Sequence, residues 1–339
     1  MRVFVTGATG VLGHRLVERL TDRGHDVVGL VRDDHGAELV ADRGGRPHRG
    51  DVLEPETLER AADADAIVHA ATAIPTEPNP SADDWERNDR VRLQGARNLL
   101  AVAGDDVESF YFPSVVWVAR QPDGSAFDEE STRHPDRTTR SAVAVEDLLE
   151  ETSRSHDFDA TVLRCGYLYA PDGANARRLG RTLLSGELRI VGGGVLGRRD
   201  AELSVLHAAD AARAFVAAIE AGVNGTYHVV DEERVTFASF VAAFADLLEV
   251  PMPGRVPAWL ARFAVGEDFV RLVTNPMPTS AERFRRDAGW EPSYPTYREG
   301  IRDVVATWQE TDAVRVTGDG YEWAGSTVGR RRSRVDGSA

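Results

Sequence analysis

At 339 residues and 37.0 kDa the chain is long enough for one large or two coupled domains around a sizeable core. Its net charge is −15 and no lysine occurs, so all 40 basic residues are arginine. Such an acidic surface repels nucleic acid and anionic membrane, which argues against both as partners. No stretch approaches the ~18 apolar residues of a membrane span, and the first strand opens the chain, so no signal peptide is expected. A lone Cys165 excludes an intrachain disulfide framework and fits a reducing cytoplasm. Abundant aspartate without lysine fits a salt-adapted cytoplasm and, equally, a genome rich in arginine codons.

The first element is an apolar strand, Val3-Phe4-Val5, that runs straight into Thr6-Gly7-Ala8-Thr9-Gly10-Val11-Leu12-Gly13. Leu12, Leu16, Val17 and Leu20 then recur at helical spacing. A strand, a turn spaced G-x-x-G-x-x-G and a helix form the setting that makes a glycine motif a dinucleotide site. Glycines let a pyrophosphate approach the backbone, and the helix directs free N–H groups and its positive dipole end at the anion. Gly7, Thr9, Gly10, Val11, Leu12 and Gly13 are therefore the expected cofactor cradle.

A second strand is expected at 26–31. Its end decides which cofactor is bound, because an acid there holds the ribose 2′-OH of NAD and an arginine the 2′-phosphate of NADP. Val31 stands where the acid is expected and Arg32 follows, which favours NADP over NAD; the alternative is that Arg32 is a solvated loop charge. A short strand at 46–49 leads into Asp51-Val52 and a helix at 54–62. The run Ala66-Ile67-Val68-His69-Ala70-Ala71 reads as a parallel strand covered on both faces, and the small Ala70 and Ala71, with Thr72, let the cofactor approach. A long helix at 84–103, a strand at 108–115, a helix at 141–155 and a strand at 159–165 follow. This alternation defines a Rossmann-type doubly wound parallel α/β sheet over 1–170, which a strand at 225–230 completes. Residues 171–312 read as a smaller mixed α/β substrate-binding region, and 313–339 as a solvated tail. No spacing suggests a metal site.

These motifs resemble the extended short-chain dehydrogenases/reductases of the NAD(P)-dependent epimerase/dehydratase group over about residues 1–310. The resemblance is carried by Thr6 to Gly13, by Gly50-Asp51-Val52, by Ile67-Val68-His69-Ala70-Ala71 and by Gly95-Ala96-Arg97-Asn98-Leu99-Leu100. Leu163-Arg164-Cys165-Gly166-Tyr167-Leu168-Tyr169-Ala170-Pro171, Leu206-His207-Ala208-Ala209-Asp210-Ala211-Ala212 and Ala288-Gly289-Trp290-Glu291-Pro292 continue it. It implies a bound NAD(P), with Asp51 and Val52 near the adenine, a small-molecule substrate, and a homodimer through the helices at 84–103 and 141–155.

The family's chemistry is where this sequence departs. Members use a Tyr-x-x-x-Lys pair whose lysine lowers the tyrosine pKa so that the phenol exchanges a proton with substrate. Aligning Ser141 and Glu146 with the family pattern puts Thr138 at the tyrosine and Ala142 at the lysine, and no register restores the pair. General acid–base catalysis is worth roughly 3–5 kcal/mol of barrier. Ser114 matches the family's serine, and Tyr167 or Tyr169 could serve as another acid, with Arg164 or Arg140 as a nearby charge. Leu203 stands where nucleotide-sugar enzymes carry an arginine; Arg198 and Arg199 lie close by in another register. Arg177, Arg178 and Arg181 share a helical face. Two readings follow: an atypical NAD(P)-dependent oxidoreductase or epimerase-like enzyme, and a catalytically silent NAD(P)-binding sensor or partner-binding protein.

Overall fold

A computed structural model describes residues 1–104, 107–155, 158–192, 200–317 and 320–324. The chain begins with β1 (Arg2–Thr6), α1 (Gly13–Asp22), β2 (Asp26–Val31), α2 (Asp34–Ala41), β3 (Arg46–Arg49) and β4 (Ala66–His69). It continues with α3 (Ala82–Asp89), a π turn at Arg90–Gln94, α4 (Gly95–Val102), β5 (Ser109–Val115), α5 (Arg140–Ser155) and β6 (Asp159–Cys165). The short β7 (Tyr167–Tyr169), α6 (Ala174–Leu184), β8 (Ile190–Val191), β9 (Glu202–Leu203) and β10 (Val205–His207) lead to α7 (Ala208–Ala221) and β11 (Gly225–Val229). The C-terminal part holds β12 (Val235–Thr236), α8 (Phe237–Leu247), β13 (Arg255–Val256), α9 (Ala258–Val265), α10 (Glu267–Thr274), α11 (Glu282–Ala288), α12 (Tyr297–Glu310), β14 (Val314–Thr317) and β15 (Gly320–Trp323).

Seven strands form one parallel sheet in the order β11-β6-β5-β4-β1-β2-β3. The order reverses between β1 and β4, and ligands of open α/β sheets bind in the crevice at such a point, beyond the carboxyl ends of the strands. Leu16, Val17 and Leu20 of α1 and Ala211, Phe215 and Ile219 of α7 bury one face, while Leu99 of α4 and Val145 and Leu149 of α5 bury the other. That two-sided cover is why Val3-Phe4-Val5 of β1 and Ala66-Ile67-Val68 of β4 are apolar.

Three local departures from the sequence reading have physical causes. The helix expected at 54–62 is two 3₁₀ turns, Pro55–Thr57 and Glu59–Ala61, with a proline opening the first. The long helix expected at 84–103 is divided by the π turn, a widening that often marks functional positions. Inside the stretch read as a solvated tail, β14 and β15 pair as an antiparallel hairpin. Trp323 of that hairpin packs edge-on against Trp308 of α12 at 5.2 Å between ring centroids. Gly193, Gly194 and Gly197 and the cluster Arg330-Arg331-Arg332 lie outside the described residues.

Candidate active site

The glycine turn is built by close backbone contact. Gly7 has φ +66, and a Cβ there would lie 2.6 Å from the carbonyl carbon and oxygen of Ala70. A Cβ at Gly13 would come within 1.9 Å of the Gly7 carbonyl oxygen. Only glycines allow α1 and the end of β4 to sit this close to the turn. The Gly10 N–H closes the loop on the Gly7 carbonyl at 2.9 Å, and the His14 N–H reaches Gly10 at 3.0 Å. Thr9 and Gly10 are exposed, Val11 is half-buried, and Leu12 packs into the core. No side chain caps the start of α1, so the N–H groups there that no backbone carbonyl takes are left for an anion. A glycine cradle that any Cβ would fill, at an uncapped helix start, fits a dinucleotide pyrophosphate.

The next helical turn is clamped to the other half of the molecule. Asp172 receives Arg15 through both oxygens at 2.6 and 3.2 Å and meets His14 Nε2 at 2.8 Å. Burial pushes the Asp172 carboxyl up, but the hydrogen bonds and charges of His14 and Arg15 outweigh it and hold it well below the carboxylate range.

The end of β4 is held by a polar relay. The Ala71 N–H donates to Thr6 Oγ1 at 3.3 Å, Thr6 Oγ1 meets His69 Nδ1 at 2.8 Å, and His69 Nε2 meets the Arg92 carbonyl at 2.9 Å. Burial lowers the His69 pKa to about 4, so the ring is neutral at pH 7. The carbonyl can only accept, which assigns the proton to Nε2 and makes Thr6 the donor to Nδ1. The Ala73 N–H is taken by Asn88 Oδ1 at 3.0 Å. Ala70, Ala71 and Thr72 thus lie on a segment fixed at both sides.

On the other flank, Arg32 is exposed at the end of β2 with no acidic partner among the described residues. The neighbouring acid is committed elsewhere: Asp33 caps α2, accepting from the Gly36 N–H at 2.7 Å. Asp51 Oδ1 accepts from the Leu53 N–H at 2.9 Å, and the Val52 carbonyl receives Asn98 Nδ2 at 2.9 Å.

The residues expected to replace the tyrosine and lysine are placed as follows. Thr138 donates its hydroxyl to Asp136 at 2.7 Å, and Ala142 is packed in the core. Ser114 faces α5 and donates to Glu146 Oε1 at 2.5 Å, where Glu146 also holds Arg164 through two bonds of 3.1 and 2.7 Å and Arg133 at 3.2 Å. Its hydroxyl therefore belongs to a buried ion pair. Tyr169 donates to Asp231 at 3.0 Å deep in the core, and burial together with the Asp231 charge pushes its pKa far up. Burial raises Tyr167 to about 12, against a hydrogen bond from Asn175 and the charge of Arg178. Tyr111 is likewise raised by burial.

His207 and Asp210 tie elements together. His207 Nδ1 accepts from the Ala209 N–H at 3.3 Å, and Asp210 accepts from the N–H groups of Ser293 and Tyr294 at 2.6 and 2.8 Å. Arg140 pairs with Asp89, and Arg177 lies over the Trp323 ring at 5.4 Å. Arg198 and Arg199 are outside the described residues. Among the described residues no cluster could hold a metal, and no helix is long and apolar enough to cross a membrane.

The profile of the "NAD dependent epimerase/dehydratase family" matches residues 3–230. The chain belongs to that family. A Streptomyces protein, "3-diazoavenalumate denitrifying reductase", is 32% identical over 310 residues, 89% of this chain and 99% of the relative. Among solved structures, a Thermus thermophilus UDP-glucose 4-epimerase complex with NAD has TM-score 0.74 at 24% identity, covering 90% of this chain and 98% of that one. A human epimerase family protein with NADPH has TM-score 0.72 at 18% identity, covering 90% and 99%. The two structures share the fold, and family membership brings an NAD(P) cofactor with it.

One residue of this family site escaped the sequence reading. Arg92 is buried at the π turn, its carbonyl ends the His69 relay, and its side chain reaches Ser141 of α5. A signal was present: Trp85, Asn88, Arg92, Ala96 and Leu99 recur on one buried helical face, and a charge there is unusual.

Proposed function

We propose that this chain is an NADPH-dependent reductase whose acceptor takes up hydride without help from a tyrosine acid. The observation that carries the reading is an intact glycine cradle together with, among the described residues, no phenol whose pKa is lowered. Tyr111, Tyr167 and Tyr169 are all pushed up by burial, and the Thr138 hydroxyl is given to Asp136. Bound NADPH supplies a hydride to the substrate.

The chain's own residues bind and orient. Gly7, Gly10 and Gly13 admit the pyrophosphate, and Ala70, Ala71 and Thr72 floor the middle of the cleft. Arg32 supports NADP over NAD, because Asp33 is engaged as a helix cap and leaves the arginine free to meet a 2′-phosphate. A simple ketone develops alkoxide charge as hydride arrives and loses roughly 3–5 kcal/mol without an acid. An acceptor that is already cationic becomes neutral on taking hydride and needs no proton, and one that delocalises the incoming charge takes its proton from water afterwards; both avoid that loss. The Streptomyces relative, a reductase named for a diazo compound, supports this acceptor class.

The test is acceptor-dependent oxidation of NADPH across aryl diazonium salts, conjugated quinones and plain ketones. Turnover of the first two classes, abolished in Gly10→Asp, is the expected result. Tight NADPH binding with no turnover of any class would favour the silent, sensing alternative.

A further inference from the structure

Two arginines are buried among the described residues, Arg92 and Arg164, each 3% exposed. Arg164 is matched by Glu146 through two hydrogen bonds. Arg92 has no such partner. Its guanidinium makes one hydrogen bond, from Nη1 to Ser141 Oγ at 3.3 Å, and its Nε finds no acceptor. Asp89 acts on it through charge alone: its Oδ2 is bonded to Arg140 at 2.6 Å, and its buried Oδ1 meets no donor. Burial lowers the Arg92 pKa to about 10, which leaves it charged at pH 7. A buried, nearly bare cation is costly, and an apolar side chain of the same length would avoid that cost.

Its position gives the cost a purpose. The Arg92 carbonyl fastens His69 at the end of β4, and its side chain meets α5 one residue before Ala142, the place of the family lysine. The adenosine half of a dinucleotide lies on the β2 side of the crevice, beside Arg32, so the nicotinamide half crosses toward β4 and β5. Arg92 stands on that second side.

We propose that Arg92 meets the cofactor from the helix opposite Ala142: its free N–H groups receive the nicotinamide-ribose half of the dinucleotide. A guanidinium suits this task, since its planar fork can reach two adjacent ribose hydroxyls and it keeps its charge throughout the working pH range. The sequence contains no lysine to do so. This inference rests on reading the cleft as an NADP(H) site.

The test compares NADP⁺ with the adenosine bisphosphate fragment of NADP, which lacks the nicotinamide half, by titration calorimetry. Arg92→Gln should weaken NADP⁺ about 10-fold or more while fragment affinity stays within about twofold, the size expected for lost charge-assisted hydrogen bonds. Arg92→Lys, which keeps the charge, should recover most of that loss, and thermal midpoints check that each variant is folded. Equal losses for both ligands would make Arg92 a packing residue, and unchanged binding of both would leave it no ligand; either result overturns the proposal. If the parent protein binds neither ligand, the cofactor reading itself fails. If the parent binds both and the variant shows no selective loss, only the role of Arg92 fails.

Discussion

Replacing Gly13 by alanine is the sharpest perturbation of the cradle. The new methyl would start 1.9 Å from the Gly7 carbonyl oxygen, and ordinary contact begins at 3.4 Å, so the turn must open by about 1.5 Å, the difference of the two. Overpacking of this kind costs about 1–3 kcal/mol and should lower the thermal midpoint by roughly 5 °C. Binding should suffer more, because the displaced N–H groups are those aimed at the pyrophosphate. Losing one or two charge-assisted bonds weakens NADPH by about 100-fold. Gly222→Ala is the control: Gly222 ends α7 at φ +60 with nothing within 4 Å of a Cβ, so alanine costs about 1 kcal/mol of strain far from the cleft. Calorimetric NADPH titration and thermal unfolding on both variants separate the effects. Parent-like affinity in Gly13→Ala, or equal binding losses in the two, would refute the assignment of the turn.

Arg32→Ala should erase most of a preference for NADPH over NADH, about tenfold, with NADH affinity unchanged; a parent without preference contradicts the reasoning. Burial lowers His69 to about 4 and His228 to about 3, both below the unfolded value near 6.5. The unfolded chain therefore binds more protons as pH falls below about 6.5. Each histidine should make the protein about 2 kcal/mol less stable at pH 5 than at pH 7, read from urea midpoints. A flat profile over that window would show that the rings take up protons in the fold as readily as in the unfolded chain. Glu146→Gln strands the Arg164 guanidinium and should cost about 3–5 kcal/mol of stability, whereas Ser114→Ala should cost far less.

What was legible in the sequence was local. Gly7, Gly10 and Gly13 stand between a strand and a helix whose apolar spacing names both, so the cradle and the alternation of β1 to β6 could be read directly. The strand at Gly225–Val229 was legible for the same reason, and it pairs with β6 at the sheet edge. The remainder depended on partners distant in sequence. Ser114 finds Glu146 on α5 across 32 positions, and Tyr169 finds Asp231 across 62. Trp323 belongs to an ordered hairpin only because Trp308 is waiting beside it. The π turn left no mark, because adding a residue to one turn hardly disturbs the spacing of Trp85, Asn88, Ala96 and Leu99. Arg92 was therefore overlooked in a helix judged by its apolar face.

On the proposed reading, hydride passes from NADPH to an acceptor at this cleft although Thr138 and Ala142 occupy the places of the acid and its lysine. The direct measurement is a single-turnover reaction with NADPH deuterated at the transferable position and an aryl diazonium or quinone acceptor, analysed by mass spectrometry. The cofactor should lose that deuterium as NADP⁺ forms, more slowly than unlabelled NADPH is oxidised, and should keep it when Gly13→Ala replaces the parent. Bound NADPH that keeps its deuterium in the presence of every acceptor would contradict it.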